Sequence, residues 1–135
     1  MHRKGEKCLT VSEIKRLVMF QTNNDAEDLG DFQPFLMDYI NEGYDLAAMA
    51  YAGQHVTEES EQFPRLRHDR SVPELPVWLH RAIADWATWL VYRNGNSGRQ
   101  KRGLPFRQTA QELLAAARAS ENGRQTAAYI RHIPR

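Results

Sequence analysis

Residues 76–93, PVWLHRAIADWATWLVYR, constrain this chain more than any other stretch, because they gather all three of its tryptophans into one helical pattern. Leu79, Ile83, Trp86 and Leu90 recur at intervals of four, three and four residues. That spacing stacks them on one stripe of an α-helix of about five turns. A second line, Trp78, Ala82, Trp89 and Tyr92, widens the apolar arc beyond what one partner helix covers. Ala84, Asp85 and Thr88 lie between the two lines, with Arg81 one turn ahead of Asp85. A helix apolar over so wide an arc belongs in the middle of a bundle rather than on its edge.

A chain of 135 residues is long enough for one hydrophobic core and too short for two large ones. Its apolar fraction of 41% is a little low and its charged fraction of 26% ordinary. Both suit a small domain with long exposed segments, or one that completes its burial by assembling. The net charge of +1 exerts no overall pull toward nucleic acid or membrane. Charge is nevertheless uneven: Asp25, Glu27, Asp28 and Asp31 cluster early, while Arg99, Lys101 and Arg102 cluster late. The single Cys8 excludes an internal disulfide and a CxxC metal clamp, and a reducing compartment is its natural setting. No apolar run approaches the ~20 residues that span a bilayer. The opening MHRKGEKC lacks the apolar centre of a signal peptide. A soluble protein made inside the cell is the expectation.

Three further helices are expected. Thr10 and Glu13 form a T-x-x-E capping box, and Val11, Ile14, Leu17 and Val18 give the helix behind it one apolar side, ending near Gln21. A second helix begins near Asp28 or Asp31, with Pro34 tolerated in its first turn. It runs to about Gly53 with Phe32, Phe35, Leu36, Tyr39, Ile40, Gly43, Ala47 and Ala50 on its apolar side. Gly43 there points to close helix packing, since Gly costs about 1 kcal/mol against Ala inside a helix. Asp38, Asn41, Glu42 and Asp45 mark the opposite, solvated face. Residues 54–75 hold no period, and a loop of about 20 residues is uncommon in a compact domain. It is read as a projecting loop, with room for a short strand or hairpin. Pro76 is placed at the first position of the tryptophan helix. Asn94-Gly95-Asn96-Ser97-Gly98 stops that helix, and a last one starts at Leu104-Pro105 and ends at Asn122-Gly123. The fold class is therefore all-α, a small bundle of about four helices. A flexible arm at 1–9 precedes a helical domain at 10–121, and an extended tail at 122–135 follows it. In that tail Tyr129-Ile130 and Ile133 are available to anchor on another surface.

No catalytic signature is present. His2, His55, His68, His80 and His132 make no H-x-x-x-H or H-E-x-x-H pair, so no helical metal site is expected. His80 reads as a surface or interface histidine rather than a general base. Asp38, Glu42 and Asp45 sit at turn spacing on the face opposite the apolar one, where a solvated acidic stripe is expected rather than a carboxylate pair. The glycines at 95, 98 and 103 lack the strand–loop–helix setting of a phosphate loop. No cofactor is implied. Arg93, Arg99, Lys101, Arg102 and Arg107 form a basic tract around a glycine-rich loop, and phosphate contact would need several of them on one face. Trp78, Trp86, Trp89 and Tyr92 exceed what one small core absorbs and are expected to make a subunit interface.

The segments V-S-E-I-K-R-L at 11–17, L-M-D-Y-I-N-E-G-Y-D at 36–45 and P-E-L-P-V-W-L-H-R-A-I-A-D-W-A-T-W-L-V-Y-R at 73–93 resemble the small helical head–tail connector (adaptor) proteins of tailed bacteriophages and prophages. That resemblance covers residues 10–93 in order. It implies a non-enzymatic virion protein of the neck, made in the host bacterial cytoplasm. Its copies would form a homo-oligomeric ring, commonly a dodecamer, beneath the portal protein. Such a ring extends the channel for passing double-stranded DNA and docks the next neck or tail protein, with no membrane partner. By position, the tail with Tyr129, Ile130, Arg131 and Ile133 would face the portal, and residues 54–75 would project to the next ring. Asp38, Glu42 and Asp45 would line the lumen, where like charge keeps DNA from sticking. Arg99, Lys101 and Arg102 would serve subunit or portal contacts. The alternative is a phage DNA-binding accessory (packaging) protein using the basic 93–107 tract. A small enzyme or toxin built on Asp85 or His80 ranks third.

Overall fold

The computed structural model describes residues 8–120. Among them the chain forms helices α1 (Val11–Thr22), α2 (Ala26–Leu29), α3 (Gln33–Ala52), α4 (Val77–Arg93) and α5 (Ser97–Ala119), with a 3₁₀ turn at Asn23–Asp25 leading into the short α2. The only strand-like pairing among these residues is a single bridge between Thr57 and Pro64. The architecture is an all-α bundle of four long helices.

α1 begins where its capping box dictates: the Thr10 hydroxyl accepts from the Glu13 amide, and the Glu13 carboxylate accepts from the Thr10 amide. Two more of its orphan amides are met from the middle loop, Val11 donating to the Ser71 carbonyl (2.8 Å) and Ser12 to that of Asp69 (2.9 Å). α3 carries Pro34 in its first turn, as expected, and Asp31 accepts from the Gln33 amide. It stops at Gly53, whose φ of 67° suits the left-handed cap that glycine adopts most readily. α4 starts one residue later than expected, with Pro76 as its N-cap.

α4 is the hub. Every residue from Leu79 to Tyr92 except Arg81 and Trp86 is buried, and α1, α3 and α5 all pack on it. Gly43 lets α3 come close: a Cβ there would lie 3.1 Å from the Ile83 carbonyl oxygen. Tyr44, Ile40, Ile14, Val18, Leu79, Ile83 and Leu90 fill the centre with no exposure.

Two expectations fail. α5 starts at Ser97, capped by the Asn96 side chain accepting from the Arg99 amide, so Pro105 sits inside the helix rather than at its start. An interior proline costs about 3 kcal/mol. What offsets it is tertiary: Gly103 lies flat against Tyr92 and Trp89, where a Cβ would fall 3.0 Å from a Trp89 ring carbon and closer still to the Tyr92 side chain. α5 ends at Ala119, and the expected Asn122-Gly123 stop lies outside the described residues. The middle loop, expected to project, is instead packed down. Phe63 and Leu66 are buried, with Phe63 edge-on to the Tyr44 ring at 6.3 Å. Burying two such side chains contributes about 1.5–3 kcal/mol each.

Candidate functional site

The tryptophan face divides in two. Trp89 and Tyr92 are covered by α5 of the same chain: the Tyr92 ring stacks on Phe106 (centroids 6.1 Å apart) and the Arg107 guanidinium lies over the Trp89 ring at 5.4 Å. This corrects the expectation that both are subunit contacts. The earlier start of α5 brings the side-chain-free Gly103 over them and encloses them within the subunit. Trp78 remains 43% exposed and Trp86 partly so. The outward aromatic surface of α4 is thus Trp78 with one edge of Trp86. The Trp86 indole N–H is itself enclosed and meets no acceptor among the described residues.

The two charge clusters of the sequence meet, and part of each pairs with the other. Arg99 donates to Asp25 at 3.1 Å and also pairs with Asp28, while Arg102 pairs with Asp25. The Tyr92 hydroxyl donates to the other Asp25 oxygen at 2.7 Å. That bond, reinforced by the two guanidinium groups, holds the Asp25 carboxyl below its ordinary value despite the opposing effect of desolvation. Burial first, and then the adjacent carboxylate, push the Tyr92 phenol up to about 12. Arg99 and Arg102 are therefore internal ties between α5 and the turn at 23–25, not free basic contacts. Lys101, one residue away, points into solvent.

The acidic stripe of α3 is also less free than its pattern implies. Asp38 pairs with Arg65 at 3.0 Å. Asp45 accepts from the Val56 amide at 2.8 Å and faces His55 at 3.0 Å. Asn41, expected on this solvated face, is buried and bound to the Leu66 backbone. Only Glu42 of the three carboxylates is exposed without an ion pair among the described residues. These groups border a groove of about 640 Å³ between α3 and the loop. A smaller cleft of about 340 Å³ is lined by Phe32, Phe35, Tyr39, Val91 and Asn94.

His80 is not a surface histidine. It is buried, and the Leu9 amide donates to its Nδ1 at 3.0 Å. The neutral ring then carries its proton on Nε2, toward the carbonyls of Leu75 (3.0 Å) and Pro73 (3.2 Å). Burial lowers its pKa, against the pull of those two carbonyls. With both nitrogens held by backbone, the ring pins the start of α1 and the end of the loop to α4. Asp85 is 1% exposed; its Oδ1 accepts from Gln21 (3.0 Å) and from Arg81 (3.2 Å), and Thr88 reaches Gln21 at 2.6 Å. This polar chain fixes α1 on α4, and it leaves neither His80 nor Asp85 at an accessible reaction centre.

Tyr129, Ile130, Arg131 and Ile133 lie outside the described residues. Among the described residues no group of three or more His, Cys, Asp or Glu side chains is placed to hold a metal, and no helix is long and apolar enough to cross a membrane. The outward side of α3 was missed by sequence reasoning. Phe35 is 54% exposed and Met49 39%, although Phe35 was assigned to the core. Their four-and-three spacing through Tyr39, Glu42 and Leu46 was the available signal. Compared with protein-family models, with curated proteins and with solved structures, the chain matches none.

Proposed function

We propose that this protein is a head–tail connector of a tailed phage or prophage, a neck component whose copies assemble as a ring on the portal. One observation carries the reading. The three stretches that resemble such connectors, 11–17, 36–45 and 73–93, fall on α1, α3 and α4, the three helices that pack on one another around α4. The likeness thus coincides with one packed body rather than with scattered surface. Exposed aromatic side chains at Trp78, Phe35 and Phe20 (79% exposed) are consistent with a subunit that covers further area on assembly. In this reading the ring continues the DNA channel and offers its far side to the next neck or tail protein. The tail at 122–135 remains the proposed portal contact.

The packaging-protein alternative is weakened by the basic tract itself. Arg99 and Arg102 are held by Asp25 and Asp28, so fewer cations are left for phosphate than the sequence suggests. Co-sedimentation of the purified protein with its cognate portal complex tests the proposal. The protein is expected to travel with the portal, and to be lost from it when residues 122–135 are removed. A full-length protein that stays at the top of the gradient contradicts the reading.

A further inference from the structure

The buried ring of His80 ties together three pieces of chain, and its two nitrogens do different work. Nδ1 accepts from the Leu9 amide at 3.0 Å, while Nε2 faces the Leu75 carbonyl at 3.0 Å and that of Pro73 at 3.2 Å. A backbone N–H only donates, so the Leu9 bond requires a lone pair on Nδ1. The imidazolium carries a proton on both nitrogens. At Nε2 this changes nothing, because two carbonyls already receive that proton. At Nδ1 it sets one N–H against another, and the Leu9 bond is lost.

The two sides of the ring are also anchored unequally. Residues 73–75 keep ties of their own: the Leu75 amide donates to the Pro73 carbonyl at 2.8 Å and the Glu74 amide to the Tyr44 hydroxyl at 3.0 Å. Leu9 is only partly buried. Behind it α1 is held independently, by its capping box and by the Val11 and Ser12 amides on the Ser71 and Asp69 carbonyls. The charges on the surrounding elements are engaged elsewhere or exposed. Glu13 closes the capping box, Asp69 pairs with Lys15 and Arg81 with Asp85, and His68, Arg70 and Glu74 are exposed. Among the described residues the ring's hydrogen bonds are all to backbone.

We infer that His80 is a one-sided acid latch: a proton taken up at Nδ1 releases Leu9 from α4, while the Nε2 bonds keep residues 73–75 seated. Release stops at the capping box of α1, so it is a local opening rather than an unfolding of the bundle. Burial disfavours the charged ring while Leu9 is attached, and departure of Leu9 lets water reach Nδ1. Attachment is therefore complete above about pH 6.5 and weakens as pH falls, by up to about tenfold per unit. The latch needs no second subunit and no portal, so its test is separate from that of the connector reading.

Nitrogen-15 NMR and amide exchange of the full chain between about pH 7.5 and pH 5 test it, a window above the ordinary carboxylate range. At the upper pH the ring is expected as the Nε2–H tautomer. As pH falls, protection of the Leu9 amide, corrected for intrinsic exchange rates, is expected to drop by up to about tenfold per unit. The amides of Ile14 and Leu79, bonded to the Thr10 and Pro76 carbonyls, are expected to keep theirs. In His80→Gln, which cannot titrate but leaves the other histidines in place, Leu9 protection is expected not to vary with pH. The wild-type measurement decides the matter even where that variant does not fold. A neutral ring protonated on Nδ1 overturns the inference. So does Leu9 protection that is constant with pH, that is lost only together with Ile14 and Leu79, or that falls equally in folded His80→Gln.

Discussion

The carboxamide of Asn41 meets both backbone groups of Leu66, donating to its carbonyl at 3.0 Å and accepting its amide at 2.9 Å. With the Asp45 bond to the Val56 amide, this side chain helps turn an unpatterned stretch into a fixed layer on α3, because buried backbone groups in a loop otherwise have no ladder to satisfy them. Asn41→Ala is expected to lower the unfolding free energy by about 2–4 kcal/mol, the cost of stranding two buried polar groups. Asn41→Asp, which keeps only the acceptor, should still destabilise the chain. Urea unfolding gives the energies, and hydrogen exchange at the Leu66 amide reports whether the loop has lifted.

Gly103 carries the α4–α5 contact. Gly103→Ala gains about 1 kcal/mol of helix propensity, yet its new methyl would overlap the Tyr92 side chain. Overpacking of this kind costs about 1–3 kcal/mol and more where the neighbour cannot yield. A net loss of thermal stability is expected, with Trp89 fluorescence shifting as its cover is displaced. An unchanged melting temperature would show that α5 adjusts freely at this point.

His80 gives the fold a pH dependence whose sign is fixed. Its folded-state pKa lies below the ordinary 6.5, so below about pH 6.5 the unfolded chain takes up a proton that the folded chain resists. Stability is complete above that pH and falls as pH falls, by up to about 1.4 kcal/mol per unit. The Asp25 carboxyl, held low, adds its own loss only below about pH 4. Denaturant unfolding between pH 7 and about pH 5 therefore reports His80. His80→Gln should flatten that slope while lowering stability throughout.

The two tied arginines of the basic tract predict weak nucleic-acid binding. With Arg99 and Arg102 tied to Asp25 and Asp28, no retention on duplex DNA is expected at about 0.15 M salt. Filter binding across a salt series measures it. Tight binding with a steep salt slope would favour the packaging alternative instead.

The bundle was largely legible in the sequence, for reasons that differ by element. α1 and α3 were readable because their signals are local: a capping box at Thr10 and Glu13, and a proline compatible with a first turn. The central place of α4 followed from an apolar arc too wide for one neighbour. α5 was misjudged because Gly103-Pro105 is breaker chemistry in isolation, and only the contact with Tyr92 and Trp89 overrides it. For the same reason Trp89 and Tyr92 were taken for intersubunit surface. The loop was misread because Asn41, the residue that anchors it, shares the helix side of Asp38, Glu42 and Asp45 and carries no mark of burial. Pairing between Asp25 and Arg99 spans 74 positions, a distance at which two charge clusters on one chain do not announce that they meet.

The central claim is that this subunit builds an annulus on the portal, and electron microscopy of the protein mixed with isolated portal complexes tests it most directly. The account predicts an added ring of density coaxial with the portal, into which the α1, α3 and α4 body fits repeatedly around an open channel. Portals that remain bare in the presence of excess folded protein would contradict it.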